Sequence, residues 1–321
     1  MISSWSTDIL GPPFEQCTLD LGTDDEGPVV ATLVRALPPV WRRFARPMAN
    51  VDVLYVHGWS DYFFQTTMAR FFTDRGARFY ALDLRKYGRS IREGQSRGYV
   101  TSLNEYDADI DAALRVIGHA PGTRSGRRLM LLGHSTGGLT LTLWAARHPG
   151  VASALMLNSP WLEFQASRIG REALAPLIGL GARLDPRAQY PVVDLGFYSR
   201  AQREVGAIPV AGYRDDWRPS TGFVARQAWL AAILEGHNRV ARGVDVGCPA
   251  LVLLSARSAM PFNWSPDMLA ADSVLVVDDI ARAATRIART ATIARIDGAC
   301  TTSSSPQPSP APRPTRRWNA G

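Results

Sequence analysis

Lysine is almost missing from this chain of 321 residues: 36 residues are Lys or Arg, and Lys86 is the single lysine. The arginines are spread along the sequence instead of clustered, so the net charge of +7 marks no nucleic-acid footprint and fits the codon usage of a GC-rich genome. Cysteine is scarce as well. Cys17, Cys248 and Cys300 are odd in number, scattered and without metal-ligand spacing, which argues against a disulfide framework or a zinc site and leaves free thiols. No apolar run reaches the ~18 residues of a membrane span. The opening MISSWSTDILGPPFEQ has neither a basic start nor an apolar core, so no secretory signal is expected and the default location is the cytoplasm.

What remains, 46% hydrophobic and 20% charged, reads as a soluble globular chain long enough for one domain with an inserted cap. Two strand-like runs, CTLDLG and PVVATLVRAL within residues 16 to 37, are parted by a polar turn and predict an antiparallel hairpin. From residue 51 short apolar runs alternate with helical stretches: VDVLYV (51–56), RFYALDL (78–84), LMLLG (129–133), SALMLN (153–158), PALVLLS (249–255) and ATIARI (291–296). Unbroken apolar runs separated by helices, clearest at 104–118 and 136–147, predict buried parallel strands in an α/β sheet. Between 159 and 236 the strand rhythm stops, and the segment, rich in Pro, Arg and aromatics such as Trp161, Phe164, Tyr198, Trp217 and Trp229, is expected to be a helical cap. The expected organisation is a core at 1–158 and 237–299, the cap at 159–236 and a tail at 300–321.

The chemistry is concentrated at LMLLGHSTGG. Gly133, His134, Ser135, Thr136 and Gly137 form Gly-x-Ser-x-Gly directly after a strand and before a helix, the context in which this pattern makes a nucleophile elbow. The turn lifts the Ser135 hydroxyl above the strand ends and makes the N–H of Thr136, in the first turn of the next helix, one oxyanion donor. The second donor is expected from YVHGWSDY, where His57, Gly58 and Trp59 follow an earlier strand; by similarity to the His-Gly loops of lipases and esterases the N–H of Trp59 is the candidate, with His57 shaping the loop.

With ALDLRKYGRS at 81–90 and the position of the cap, these motifs resemble the monoacylglycerol lipase and lysophospholipase branch of the α/β hydrolases, often grouped with serine aminopeptidases, over residues 28 to 299. The resemblance implies an α/β-hydrolase fold, a serine hydrolase and no cofactor or metal. This chain departs from the branch at Lys86 and Tyr87, which replace the middle of an Asp-x-Arg-Gly-His-Gly stretch, a structural turn. The triad acid should follow PALVLLS, but Ala256, Arg257 and Ser258 come next; matching ADSVLVVD to the branch makes Asp272 the candidate acid, with Asp267 second. Asp278 and Asp279 fit a helix start.

The triad histidine is missing. His57, His119, His134, His148 and His237 all precede the last strand, whereas the branch continues from a strand like ARIDGA into Leu-His-Asp. Here ARIDGAC is followed by 21 residues with five prolines and no acidic residue, which cannot form the final helix of the fold and are expected to be disordered. The codons TGC for Cys300, ACG for both threonines and TCT, TCC, TCA for the serines, read one base out of frame, give Leu, Val or Met and then His-Asp-Val-Phe-Leu. The terminus is thus compatible with a frameshift, and incompatible codons in the gene would remove that reading. The competing reading uses another histidine as base, for which His237 lies near the cap's end while His134 is expected to point away from the nucleophile and His119 and His148 sit at helix ends.

For an intact triad these features predict cleavage of carboxylic esters, medium or long acyl esters or monoglycerides among them, with a small ester or lipid as partner and the oligomeric state left open. A proline iminopeptidase-type peptidase, and a non-catalytic binder of acyl ligands on the same scaffold, stand as alternatives.

Overall fold

The runs of apolar residues form the strands of a single nine-stranded sheet: β1 (Ser6–Thr7), β2 (Phe14–Asp24), β3 (Gly27–Ala36), β4 (Val51–Val56), β5 (Arg78–Asp83), β6 (Arg128–His134), β7 (Ala154–Asn158), β8 (Ala250–Ser255) and β9 (Ala291–Ile296). The computed structural model describes residues 4–39, 46–120, 122–164, 176, 178–190, 196–209, 212–259 and 263–300. The tail after Cys300, and residues 165–175 and 191–195 of the inserted segment, lie outside the described residues.

The strand order is β1-β2-β3-β5-β4-β6-β7-β8-β9; the first three run antiparallel to their neighbours, and β5 through β9 are mutually parallel. Helices α1 (Thr66–Thr73), α2 (Tyr106–Ile117) and α3 (Thr136–Arg147) make the crossovers between β4, β5, β6 and β7. β4 has no exposed residue, because its side chains alternate between two cores: Leu54 and Val56 face the layer that holds α2 and α3, while Val51, Val53 and Tyr55 face the layer that holds α1. Burial on both faces is why the run carries no polar alternation. Its one charged residue, Asp52, is at the amino end, where Arg127 at 2.8 Å, His119 at 2.8 Å and Arg78 surround it.

The order reverses at β4. β5 lies on one side of it and β6 on the other, which makes the carboxyl ends of β4 and β6 the topological switch point, the place where α/β sheets characteristically bind ligands. The loop after β4 holds His57, Gly58 and Trp59; the turn after β6 holds Ser135.

Among the helices that follow β7 are α4 (Phe197–Glu204), α5 (Gln227–Ala241) and α6 (Val277–Ala284). α5 runs through residue 236, the expected cap boundary, and Gly236 brings it against Leu103, Leu139 and Leu143. This helix packs on α3 and on the turn at Leu103. The hairpin of β2 and β3 reaches over the loop after β5, where Lys86, at φ +63°, sets its ammonium 2.6 Å from both Asp24 and Glu26; Arg187 of the inserted segment pairs with Glu26 at 3.4 Å. Burial pulls the Lys86 pKa down, but the two carboxylates outweigh it and hold it above its ordinary value. Among the described residues no helix is long and apolar enough to cross a membrane, and no group of three or more His, Cys, Asp or Glu could hold a metal.

Candidate active site

Ser135 joins β6 to α3 with φ 50° and ψ −119°, a conformation that non-glycine residues rarely adopt. Four backbone hydrogen bonds hold it there. Its N–H donates to the Asn158 carbonyl (3.2 Å), and its own carbonyl accepts from Gly138 (2.9 Å), Leu139 (3.3 Å) and Trp161 (3.0 Å). The glycines on either side are required by space. A Cβ on Gly137 would stand 2.3 Å from the His57 carbonyl oxygen, and one on Gly133 would stand 2.6 Å from the Gly138 Cα. Within the buried end of β6 and the start of α3, Ser135 alone is half-buried, which leaves its hydroxyl reachable.

The loop after β4 lies directly against this turn: a Cβ on Gly58 would meet the Ser135 Cβ at 3.0 Å. His57 holds the loop's shape. Its Nε2 accepts from the Leu84 N–H (3.2 Å), so its Nδ1 carries the proton and donates to the Gly58 carbonyl (2.8 Å), and both ring nitrogens are used within the scaffold. Neither the Trp59 N–H nor the Thr136 N–H donates to a backbone carbonyl among the described residues; the latter belongs to the first helical turn, whose donors have no intrahelical acceptor.

His134 is buried, and burial lowers its pKa, so the ring is neutral near pH 7. Its Nδ1 lies 3.0 Å from the Asn158 backbone carbonyl and 3.2 Å from the Asn158 side-chain amide nitrogen, and its Nε2 lies 3.2 Å from the Tyr198 hydroxyl of α4. Burial raises the Tyr198 pKa, and Arg218, Asp61, Cys300 and Asp272 all lie within electrostatic reach of the phenol. Tyr198 thus marks a meeting point of the elbow, the inserted segment, the candidate acid and the last described residue. Sequence patterns gave no sign of it, nor of the pair beside it. Asp61, two residues past Trp59, forms a 2.9 Å ion pair with Arg218, both about 3% exposed, and Arg218 also donates to Tyr213 (3.2 Å) and Gln202.

The two candidate acids occupy different surroundings. Asp272 is fully buried just beyond β8: its N–H donates to the Arg257 carbonyl (3.0 Å), and its Oδ1 accepts from Val274 (2.9 Å) and Leu275 (2.7 Å). Asp267 is exposed and pairs with Arg257 at 3.2 Å. Asp278 and Asp279 lie in the first turn of α6, where a helix favours carboxylates. Of the remaining histidines, His119 binds Asp52 at the opposite end of the sheet, His148 bonds the Trp144 carbonyl (2.9 Å), and His237 bonds the Trp161 carbonyl (2.9 Å).

A family model described as serine aminopeptidase, S33 matches residues 49–257. The monoacylglycerol lipase of Mycolicibacterium smegmatis is 31% identical over 128 residues, a stretch covering 40% of this chain and 43% of that protein. The chain therefore matches less than half the length of this curated relative. Among solved structures, a soluble variant of monoglyceride lipase from Saccharomyces cerevisiae, in complex with a substrate analogue, superposes with a TM-score of 0.57 at 13% identity, covering 89% of this chain and 87% of its own. A monoacylglycerol lipase of Paleococcus ferrophilus gives 0.57 at 18% identity, with 84% and 90% covered. At these identities the structural likeness bears on the fold.

Proposed function

Since the chain belongs to the serine aminopeptidase S33 family and has the α/β-hydrolase fold, we propose that it is built as a carboxylic-ester hydrolase of monoacylglycerol lipase type with Ser135 as nucleophile. The observation that carries this reading is the strained Ser135 turn with the His57-Gly58-Trp59 loop pressed against it. In the proposed reaction the Ser135 oxygen bonds the ester carbonyl carbon, the N–H groups of Trp59 and Thr136 receive the oxyanion, and the alcohol leaves with a proton. Water then breaks the acyl-enzyme. Asp272 is assigned the triad acid, which would orient a histidine following Cys300, the place where the out-of-frame reading puts one.

Hydrolysis of p-nitrophenyl esters by the chain and by Ser135→Ala tests the assignment. The expected result is a low rate in the chain that falls to the uncatalysed background in the variant; equal turnover in both overturns Ser135. The absence of any histidine after His237 favours a second reading for the chain as it stands, a binder of acyl ligands with little or no turnover. Saturable ligand binding without hydrolysis, in this chain and in one with the reading frame restored, would support that reading.

A further inference from the structure

Ser135 sits between two walls of unlike chemistry. One is polar and buried, made of His134, Tyr198 and the Asp61–Arg218 pair. The other is aromatic. Trp161, whose N–H holds the Ser135 carbonyl, lies 6.2 Å ring to ring from Trp229; Trp59, whose backbone follows the glycine packed on Ser135, lies 3.6 Å from the same Trp229 with the rings tilted by 32°. Phe223 closes edge-on upon Trp59 at 5.8 Å.

We infer, resting on the esterase reading above, that Trp229 is a specificity-determining residue that closes the apolar side of the site, so that the acyl groups accepted are short. Three observations support this. A 3.6 Å ring separation is van der Waals contact and leaves no width for a methylene chain between the two indoles. Trp229 is 3% exposed and belongs to α5, whose Leu230 and Ile233 lie in the main core, so its ring is set by a packed helix and not by a loop that can swing away. Both tryptophans whose backbones adjoin the Ser135 turn pair with this one ring, Trp59 in contact at 3.6 Å and Trp161 at 6.2 Å. The sequence favours medium or long acyl esters, whereas the rings of Trp59, Trp229 and Phe223 are packed on one another.

Alkylboronic acids test this without any catalytic base, because the Ser135 oxygen adds to boron to give a tetrahedral boronate while the hydroxyl proton goes to solvent. The full chain is titrated with butylboronic and octylboronic acid by calorimetry, alongside Ser135→Ala and Trp229→Ala. The inference expects the butyl compound to bind at least tenfold more tightly than the octyl one, and Trp229→Ala to improve octyl binding at least tenfold. In an open tunnel the four additional methylenes would favour octyl by roughly a hundredfold. Octyl binding equal to or tighter than butyl in the unaltered chain overturns the inference and leaves the site reading intact. A complete lack of Ser135-dependent binding overturns the site reading, and the inference with it. If circular dichroism shows Trp229→Ala unfolded, Trp229→Leu replaces it, and the comparison within the unaltered chain decides on its own.

Discussion

A version of this chain that continues after Ala299 as Leu-His-Asp-Val-Phe-Leu is expected to hydrolyse p-nitrophenyl butanoate about four to six powers of ten faster than the chain as it stands. The physical reason is that the other parts of the site are built. The proposed nucleophile Ser135 is held in a strained turn, the candidate donors lie beside it, and Asp272, the proposed acid, is buried with its carboxylate fixed by two backbone N–H groups. On the proposed reading the added histidine takes the proton from Ser135 and returns it to the leaving alcohol, work that His57 in the loop after β4 does not offer, because both of its ring nitrogens are engaged. Cys300 is buried and within electrostatic reach of Tyr198, as is Asp272. Steady-state rates of the two chains, each paired with Ser135→Ala, provide the check. Equal activity would mean that the base is among the five existing histidines.

The second large effect concerns stability. Asp61→Asn or Arg218→Met is each expected to cost about 3–5 kcal/mol, since either change strands a charge or a charge-sized polar group in a buried place. Burial by itself would weaken the Arg218 guanidinium as a base, yet Asp61, together with Tyr198 and Tyr213, holds its pKa above the ordinary value. The double variant Asp61→Leu/Arg218→Met, apolar on both sides, is expected to recover most of the loss. Thermal unfolding reads the difference directly: the single variants should melt on the order of 10 °C lower. Losses under about 1 kcal/mol in both single variants would mean that water reaches the pair and screens it.

The parts of the molecule that could be read from sequence are those set by local pattern. β4 has the bounds of its apolar run because burial on both faces leaves a continuous hydrophobic signal, β9 has the bounds of its run although none of its residues is fully buried, and α3 begins directly after Ser135 because the elbow glycines fix the turn between strand and helix. β1, two exposed residues long, has no such signal. The stack of Trp59 on Trp229 and the pair of Asp61 with Arg218 join residues far apart in the chain. In the sequence Trp229 is one of 9 tryptophans and Arg218 one of many arginines, and no spacing rule singles out either partner. Asp272 is proposed as the acid only by matching ADSVLVVD to the resembled branch, because Ala256, Arg257 and Ser258 directly after β8 include no carboxylate.

The single lysine gives the hairpin a use beyond its place in the fold. An amine that is enclosed between two carboxylates and held protonated is a poor nucleophile, so Lys86 should resist acylation by N-hydroxysuccinimide esters while the β2–β3 turn stays seated. With no second lysine to obscure the signal, the slow appearance of acylated Lys86 by mass spectrometry would time the opening of that one corner, and modification as fast as that of a free lysine would mean the corner is open most of the time.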